Sequence, residues 1–160
     1  MAGQEIKIKH DVALGQLKGM NRLVIFTDGG SRGNPGPAAI GVKFTSSDDV
    51  NLMREYNEGI GNTTNNIAEY KAVIFALKKA KALLGGKRAA ETALEIRSDS
   101  ELIVSQLKGE YKIKDDELKP LFIDVWNRKQ DFKSVDFVLI PREKNKEADR
   151  LVNRALDTLL

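Results

Sequence analysis

An unbroken run of apolar residues at positions 23–26 predicts a strand that is covered on both faces, since a half-exposed strand would alternate. Such a strand lies centrally in a sheet that is flanked by helices. It stops at Asp28, and residues 29–37 are so rich in glycine and proline that no strand or helix is expected there. In open α/β sheets, strand ends of this kind line the functional crevice, although aspartate before Gly-Gly is also an ordinary turn residue.

Alternating patterns predict four further strands. Ile40, Val42 and Phe44 indicate a second strand, and residues from about 51 to 60 indicate a third, with a polar turn between them. A short turn joins antiparallel strands, so residues 23–60 are predicted to form an antiparallel three-strand meander. Residues 93–98 and 135–140 predict strands four and five. The fourth strand follows a long helix and is expected to return parallel to the first by a right-handed crossover.

Helical spacing of apolar residues predicts four helices. The first begins near Ile67, after residues 61–66 supply capping side chains, and ends at Gly85-Gly86. The second runs from about residue 99 to 107 and the third from about 115 to 129, with Trp126 on its core-facing side. The apolar positions of the last helix are Ala148, Leu151, Val152, Ala155, Leu156 and Leu159. The predicted order is β-β-β-α-β-α-α-β-α.

Composition narrows the class of protein without naming a function. A chain of 160 residues with 41% hydrophobic positions fits one domain, expected at residues 21–160, with residues 1–20 as an N-terminal arm or small extension. It has no cysteine, no run of about 18 apolar residues and no secretory signal, so we expect a cytoplasmic protein without a membrane partner. The net charge of +3 permits a polyanionic partner without requiring one.

Four carboxylates stand where predicted strands end or helices begin: Asp28, Glu69, Asp99 and Asp149. Asp28 and Asp99 each follow a strand of the parallel pair, so they are expected at one edge of the sheet. Glu69 lies on an apolar helix face, where a carboxylate needs a compensating partner such as a cation. Simpler explanations stay open at this point: the helix dipole favours Glu69 and Asp149, and residues 98–101 match a capping box.

Four short motifs give the chain a family resemblance. They read FTDGGSRGNPGP at 26–37, TNNIAEY at 64–70, SDS at 98–100 and NKEAD at 145–149. In this order, with acids Asp, Glu, Asp and Asp, they resemble the catalytic domain of ribonuclease H type 1 across nearly all of residues 22–157. The resemblance implies an α/β, ribonuclease H-like fold: a five-stranded mixed sheet flanked by helices, with strands 1–3 antiparallel and strands 1, 4 and 5 parallel.

The resemblance also implies a chemistry and a substrate. The four carboxylates would hold two Mg²⁺ ions, or Mn²⁺, since oxygen ligands without His or Cys select hard cations. Asp28 would be the ligand that both ions share. The family hydrolyses the RNA strand of RNA–DNA hybrids and leaves 5′-phosphate and 3′-hydroxyl ends. The substrate-binding residues that it implies are Gly29, Gly30, Ser31, Gly33, Asn34, Thr64, Asn65, Asn66 and Ser100.

Two departures from the family pattern affect the expected mechanism. Many relatives carry a histidine in the loop before the last helix, whereas the only histidine here is His10. We hypothesise that Arg142 takes part of that role by contacting the scissile phosphate or the product. A basic insertion that grips the substrate in well-known members is also missing, and only Lys108, Lys112 and Lys114 occupy the connection. We therefore expect weak, salt-sensitive hybrid binding by a monomer, unless the arm contributes.

Two other functions remain open from the sequence. One is another metal-dependent nuclease of the same fold, such as a junction resolvase or an exonuclease, and this alternative includes cleavage of duplex RNA. The other is a hybrid-binding module with an inactive site. The block at residues 64–66 and the loop at 33–35 argue against the first alternative. The presence of all four acids argues against the second.

Overall fold

The computed structural model of the protein describes residues 4–7 (backbone only), 21–46 and 53–159. Its strands are β1 (Gln4–Lys7), β2 (Arg22–Ser31), β3 (Gly36–Ser46), β4 (Met53–Thr63), β5 (Ala93–Ser98) and β6 (Ser134–Leu139). Its helices are α1 (Asn65–Leu84), α2 (Gly86–Glu91), α3 (Glu101–Leu107), α4 (Lys119–Lys129) and α5 (Lys146–Asp157). A turn of 3₁₀ helix spans Arg142–Lys144.

The strands form one mixed sheet in the order β1-β4-β3-β2-β5-β6. Strands β2, β3 and β4 are antiparallel neighbours, while β2, β5 and β6 run parallel. The predicted five-stranded sheet and its strand directions are therefore confirmed. The short strand β1 extends it by pairing antiparallel with the edge of β4, with Gln4 opposite Asn57.

Helices cover both faces of the central strand β2, as the apolar run at its start predicts. Leu23, Val24 and Ile25 are all buried. The larger core cluster joins the sheet to α1, α3 and α4, and a smaller one joins Ala39 of β3 to α5. Successive side chains of a strand point to opposite faces. A methyl group at Gly29 would meet α1 and one at Gly30 would meet α5, so these two helices lie on opposite faces.

The two irregular stretches expected near the site are shorter than predicted. Strand β2 continues through Gly29, Gly30 and Ser31, and β3 begins at Gly36, which leaves only residues 32–35 as the turn. Backbone pairing explains the difference, because Gly29, Gly30 and Ser31 lie opposite residues 38–40 in the antiparallel ladder. Likewise, β4 extends to Thr63, and α1 begins at Asn65 instead of Ile67.

The helices differ from the prediction at two points. The third predicted helix begins at Lys119 and not near Asp115, because the Asp115 side chain and carbonyl accept hydrogen bonds from Glu117 and Leu118 and hold a turn there. Helix α2 was not predicted at all; it follows directly after the glycine that ends α1.

Trp126 and Leu159, both expected in the core, are exposed. Trp126 is 51% exposed and lies on the outer side of α4, whereas its neighbour Val125 is buried. Leu159 is 47% exposed and follows the end of α5. The apolar spacing correctly predicted that both segments contain a helix, but it does not specify how much of the apolar helix face a neighbouring element covers.

No helix in the described part of the chain is both long enough and apolar enough to cross a membrane.

Candidate active site

Three carboxylates converge at the carboxyl end of the central strands. Asp28 lies near the end of β2, Asp99 directly follows β5, and Glu69 lies in the second turn of α1. One carboxylate oxygen from each lies within 4.8 Å of the other two. The parallel pairing of β2 and β5 brings the two aspartates side by side, and the packing of α1 on the sheet brings in the glutamate.

Glycine allows α1 to approach β2 closely enough for this contact. A methyl group on Gly29 would lie 2.3 Å from the carbonyl carbon and oxygen of Ala68, the residue before Glu69. The Gly29 N–H donates a hydrogen bond to Glu69 Oε1. The absence of a side chain thus gives the helix room to approach, and the close approach places the Glu69 carboxylate within reach of the Gly29 N–H.

Burial and mutual repulsion make ionisation of this cluster unfavourable. Desolvation, together with the charges of Asp99 and Asp149, raises the pKa of Asp28 from 3.8 to about 7, despite the opposing hydrogen bond from Glu69. Glu69 is only 8% exposed, and burial followed by repulsion from Asp28 raises its pKa well above 4.5. At neutral pH, the Asp28–Glu69 pair therefore retains a proton or requires a cation.

Asp149 lies at the border of the cluster and not inside it. Its side chain is exposed in the first turn of α5, and it is not one of the three carboxylates that lie within 4.8 Å of one another. It is nevertheless close enough that its charge contributes to the raised pKa of Asp28. A methyl group on Gly41 of β3 would lie 2.4 Å from the Ala148 carbonyl oxygen, so this glycine permits the close approach of α5.

Three of the predicted substrate-binding residues are joined by hydrogen bonds into a rim beside the acids. Asn34 Oδ1 accepts a hydrogen bond from the Asn65 backbone N–H at 3.0 Å. Asn65 Oδ1 in turn accepts from the backbone N–H of Ser31 at 2.9 Å and from its hydroxyl at 3.2 Å. Gly33 has a φ of +95° in the turn that carries Asn34, a conformation that favours glycine. The turn and the start of α1 are thereby held together.

Two of the predicted substrate-binding residues are helix caps. The Thr64 hydroxyl accepts a hydrogen bond from Ile67 N–H at the start of α1, and the Ser100 hydroxyl accepts from Ile103 N–H at the start of α3. The capping box expected at residues 98–101 is absent, because Ser98 Oγ accepts from Ser100 N–H and the Glu101 carboxylate accepts from the Tyr111 hydroxyl. Asn66 is half-buried in the first turn of α1.

Arg142 is exposed in the 3₁₀ turn before α5, on the same connection that leads to Asp149. Its carbonyl oxygen accepts a hydrogen bond from Asn145 N–H at 3.0 Å. His10 and the rest of residues 8–20 lie outside the described residues.

Sequence reasoning missed two residues that shape the site. Gly41 gave no signal beyond lying in an alternating strand. Asn145 belongs to one of the motifs, but no role was assigned to it. It is buried, and its side-chain amide donates hydrogen bonds to the Thr27 carbonyl at 2.9 Å and to Asp99 Oδ2 at 3.1 Å. Its position four residues before Asp149, at a helix start, was the available clue.

The residues present fit a divalent cation of the hard type. The donors are carboxylate oxygens without sulfur or imidazole, the set that Mg²⁺ and Mn²⁺ prefer. A cation among Asp28, Glu69 and Asp99 would offset the repulsion and desolvation that raise the pKa of the first two.

Comparison with known proteins agrees with this fold. LC11-RNase H1, solved in complex with an RNA/DNA hybrid, is 45% identical with a TM-score of 0.79, over 86% of this chain and 98% of that one. RNase H1 from the halophilic archaeon Halobacterium salinarum is 37% identical with a TM-score of 0.77, over 86% and 99% of the two chains. The bifunctional protein Rv2228c of Mycobacterium tuberculosis is 38% identical over 136 residues, or 85% of this chain.

The fold and the carboxylate cluster define a protein of the ribonuclease H-like class. The family described as reverse transcriptase-like matches residues 26–155. The chain belongs to the ribonuclease H type 1 family, a family of hydrolases. It spans only 36% of the length of the mycobacterial relative.

Proposed function

We propose that this protein is an endonuclease that hydrolyses the RNA strand of RNA–DNA hybrids. The observation that carries the proposal is the convergence of Asp28, Glu69 and Asp99 at the end of the central strands. The likeness to LC11-RNase H1, which has been solved with a hybrid, supports the substrate class. We further propose that residues 21–160 form the catalytic domain, that residues 1–20 form an arm, and that the protein acts as a cytoplasmic monomer.

Each carboxylate has a proposed task. Asp28, Glu69 and Asp99 would hold two divalent cations, with Asp28 as a ligand of both, and Asp149 would complete the ligand set from its exposed position. Mg²⁺ or Mn²⁺, when bound, would supply an activated water and charge stabilisation of the leaving oxygen, and the expected products carry 5′-phosphate and 3′-hydroxyl ends. The hydrogen bond from Gly29 N–H to Glu69 Oε1 would help to orient the glutamate toward a bound cation.

Recognition of the hybrid is proposed for the rim of the site. A protein distinguishes RNA from DNA through the 2′-hydroxyl, which needs close approach of donors and acceptors to the sugar. Gly29, Gly30 and Gly33 add no side-chain bulk and permit that approach of the backbone, while the side chains of Asn34 and Asn66 supply amides. Thr64, Asn65 and Ser100 lie at helix starts, where phosphates are favoured.

Arg142 is proposed to contact the scissile phosphate or the product in place of the histidine that relatives carry. Its support is its exposure on the turn that directly precedes Asn145 and α5. An arginine side chain would act there by electrostatic attraction and hydrogen bonding, and not by proton transfer.

The test is cleavage of an end-labelled hybrid by the wild type and by Asp28→Asn, with Mg²⁺ and with a chelator. We expect RNA-strand cleavage only with Mg²⁺, and a loss of about a hundredfold or more in Asp28→Asn, because a shared ligand is removed. Asp136→Asn, an exposed carboxylate of β6 outside the cluster, is the matched control. Arg142→Ala is measured in the same assay, and an unchanged turnover would eliminate its proposed role.

Parallel substrates separate the alternatives. Equal cleavage of duplex DNA or of a four-way junction would favour another nuclease of this fold. Cleavage of duplex RNA would show that the enzyme does not require a DNA strand opposite the RNA. Tight hybrid binding without cleavage at any Mg²⁺ or Mn²⁺ concentration would favour an inactive binding module.

A further inference from the structure

Asn145 is a buried polar residue at the centre of the site for which the proposed chemistry has no task. It is 1% exposed and lies between the 3₁₀ turn and α5. Its side-chain nitrogen donates to two acceptors on different strands: the Thr27 carbonyl oxygen of β2 and Asp99 Oδ2 after β5. A single amide thus links β2, which carries Asp28, to the carboxylate of Asp99 just after β5.

The orientation of this amide is determined by its partners. A carbonyl oxygen and a carboxylate oxygen can only accept, so the NH₂ end of Asn145 must face them. Its Oδ1 is then buried without a hydrogen-bond partner among the described residues. A buried unsatisfied acceptor is unfavourable, so the donor end must contribute enough to outweigh it. An apolar side chain would remove the unmatched Oδ1, but it would also remove the donor to the Thr27 carbonyl and to Asp99 Oδ2.

The backbone of Asn145 extends the same link to α5. Its carbonyl oxygen accepts a hydrogen bond from Asp149 N–H at 3.1 Å, and its N–H donates to the Arg142 carbonyl at 3.0 Å. One residue therefore connects the strand of Asp28, the carboxylate of Asp99 and the first turn that carries Asp149.

We propose that Asn145 is a positioning residue for the metal-binding carboxylates. Its amide engages one oxygen of Asp99 and directs the carboxylate, so that the other oxygen is presented to a cation, and it sets the start of α5 relative to β2. This inference rests on the proposed function only in that the cluster binds divalent cations. Outer hydrogen bonds of this kind orient ligands before the metal arrives, and their removal typically reduces metal affinity about 10–100-fold.

The test measures cation binding directly, without substrate. Free Mn²⁺ is followed by electron paramagnetic resonance during titration of the wild type, Asn145→Ala and Asn145→Asp. We expect about 10–100-fold weaker Mn²⁺ binding in Asn145→Ala. Asn145→Asp keeps the shape of the side chain, but it turns an acceptor toward the Thr27 carbonyl and Asp99 in place of the donor. Its Mn²⁺ affinity should therefore fall at least as far as that of Asn145→Ala, in spite of the added negative charge.

Gln106→Ala is the matched control, because Gln106 is also a buried amide, 4% exposed, and its Oε1 accepts a hydrogen bond from the Tyr70 hydroxyl. We expect it to lower the melting temperature and leave Mn²⁺ affinity unchanged. If Asn145→Ala melts below the assay temperature, Asn145→Ser, which keeps a hydroxyl donor in a smaller side chain, replaces it and should retain more affinity than Asn145→Asp.

A second readout separates positioning from a general loss of stability. The Mg²⁺ concentration for half-maximal hybrid cleavage should rise in Asn145→Ala in parallel with the Mn²⁺ dissociation constant, with much of the turnover recovered at saturating Mg²⁺. Mn²⁺ affinity within twofold of the wild type, with only a lower melting temperature, would overturn the proposal. Normal Mn²⁺ binding by a wild type that cleaves no hybrid would overturn the proposed function alone.

Discussion

At the residue scale, the site depends on two carboxylates whose charge the fold makes unfavourable. Asp28 and Glu69 are placed together by β2 and α1, and burial is the largest cause of the raised pKa of each. A cation bound by these carboxylates would offset the free energy that this arrangement costs, because it would replace the missing hydration. Such a site should therefore weaken the fold when no metal is present.

This cost predicts a pH-dependent stability. Between about pH 4 and 7, the folded protein keeps a proton on Asp28 that the unfolded chain has released, since the pKa is about 7 when folded and 3.8 otherwise. Raising the pH across this window therefore favours unfolding, and the stabilising contribution present near pH 4 is lost by about pH 7. Glu69, whose pKa is also raised, adds to the same trend.

Asp28→Asn should remove the part of that slope that Asp28 contributes. In chelator, we expect a free energy of unfolding about 1–3 kcal/mol above the wild type at pH 8 and little changed at pH 4. Urea denaturation at several pH values measures this, with Asp136→Asn as the control that keeps the wild-type slope. Parallel curves for the wild type and Asp28→Asn from pH 4 to 8 would contradict the raised pKa.

At the element scale, close approach of helices to strands is what assembles the acids. Helix α1 reaches β2 at Gly29, and α5 reaches β3 at Gly41, where added methyl groups would meet backbone atoms at 2.3 and 2.4 Å. Backbone atoms cannot move aside as a flexible side chain can, so the whole helix would have to shift. Since α1 carries Glu69 and α5 carries Asp149, a shift of either helix separates the carboxylates.

Gly29→Ala and Gly30→Ala test this pair of neighbours. We expect Gly29→Ala to lower the free energy of unfolding by about 3 kcal/mol and to abolish Mn²⁺ binding. Gly30→Ala should change stability by about 1 kcal/mol or less, because its methyl group would lie 3.6 Å from the Val152 side chain, an ordinary contact. Urea denaturation and Mn²⁺ titration measure both, and equal effects of the two variants would show that helix approach does not limit the site.

At the scale of the whole molecule, the proposed binding of hybrids would depend on where basic residues lie relative to the acids. The net charge is only +3, and the connection between α3 and α4 offers few lysines. Strand β1 of the arm lies at the far edge of the sheet, three positions from β2 in the strand order. At about 4.8 Å per strand, this places β1 roughly 14 Å from the strand that carries Asp28.

Salt dependence of hybrid binding distinguishes the two basic regions. The slope of log affinity against log salt changes by about one unit for each phosphate that the protein no longer neutralises. We expect a protein limited to residues 21–160 to keep the full-length slope and to cleave hybrid, while Lys112→Gln with Lys114→Gln flattens it by up to about two units. A flatter slope for residues 21–160 would instead assign phosphate binding to the arm.

The sequence by itself determined most of the elements, though not helix α2, and the identity of the acids. The apolar run at 23–26 predicted a central, doubly covered strand, and the alternation that followed predicted the antiparallel meander, because these patterns depend on local spacing. The motifs were enough to predict the family. Where a boundary depended on backbone pairing, as at Gly29–Ser31, or on a local turn, as at Asp115, the local pattern was misleading.

Only the tertiary structure decided the distances. It placed Glu69 within reach of Asp28 and Asp99, left Asp149 at the exposed border, and turned Trp126 to the surface. It also revealed Asn145 as the link between three segments that are far apart along the chain. The physical reason is that pKa values, close helix approach and bridging hydrogen bonds depend on which surfaces meet, and a local pattern of apolar and polar residues does not specify that.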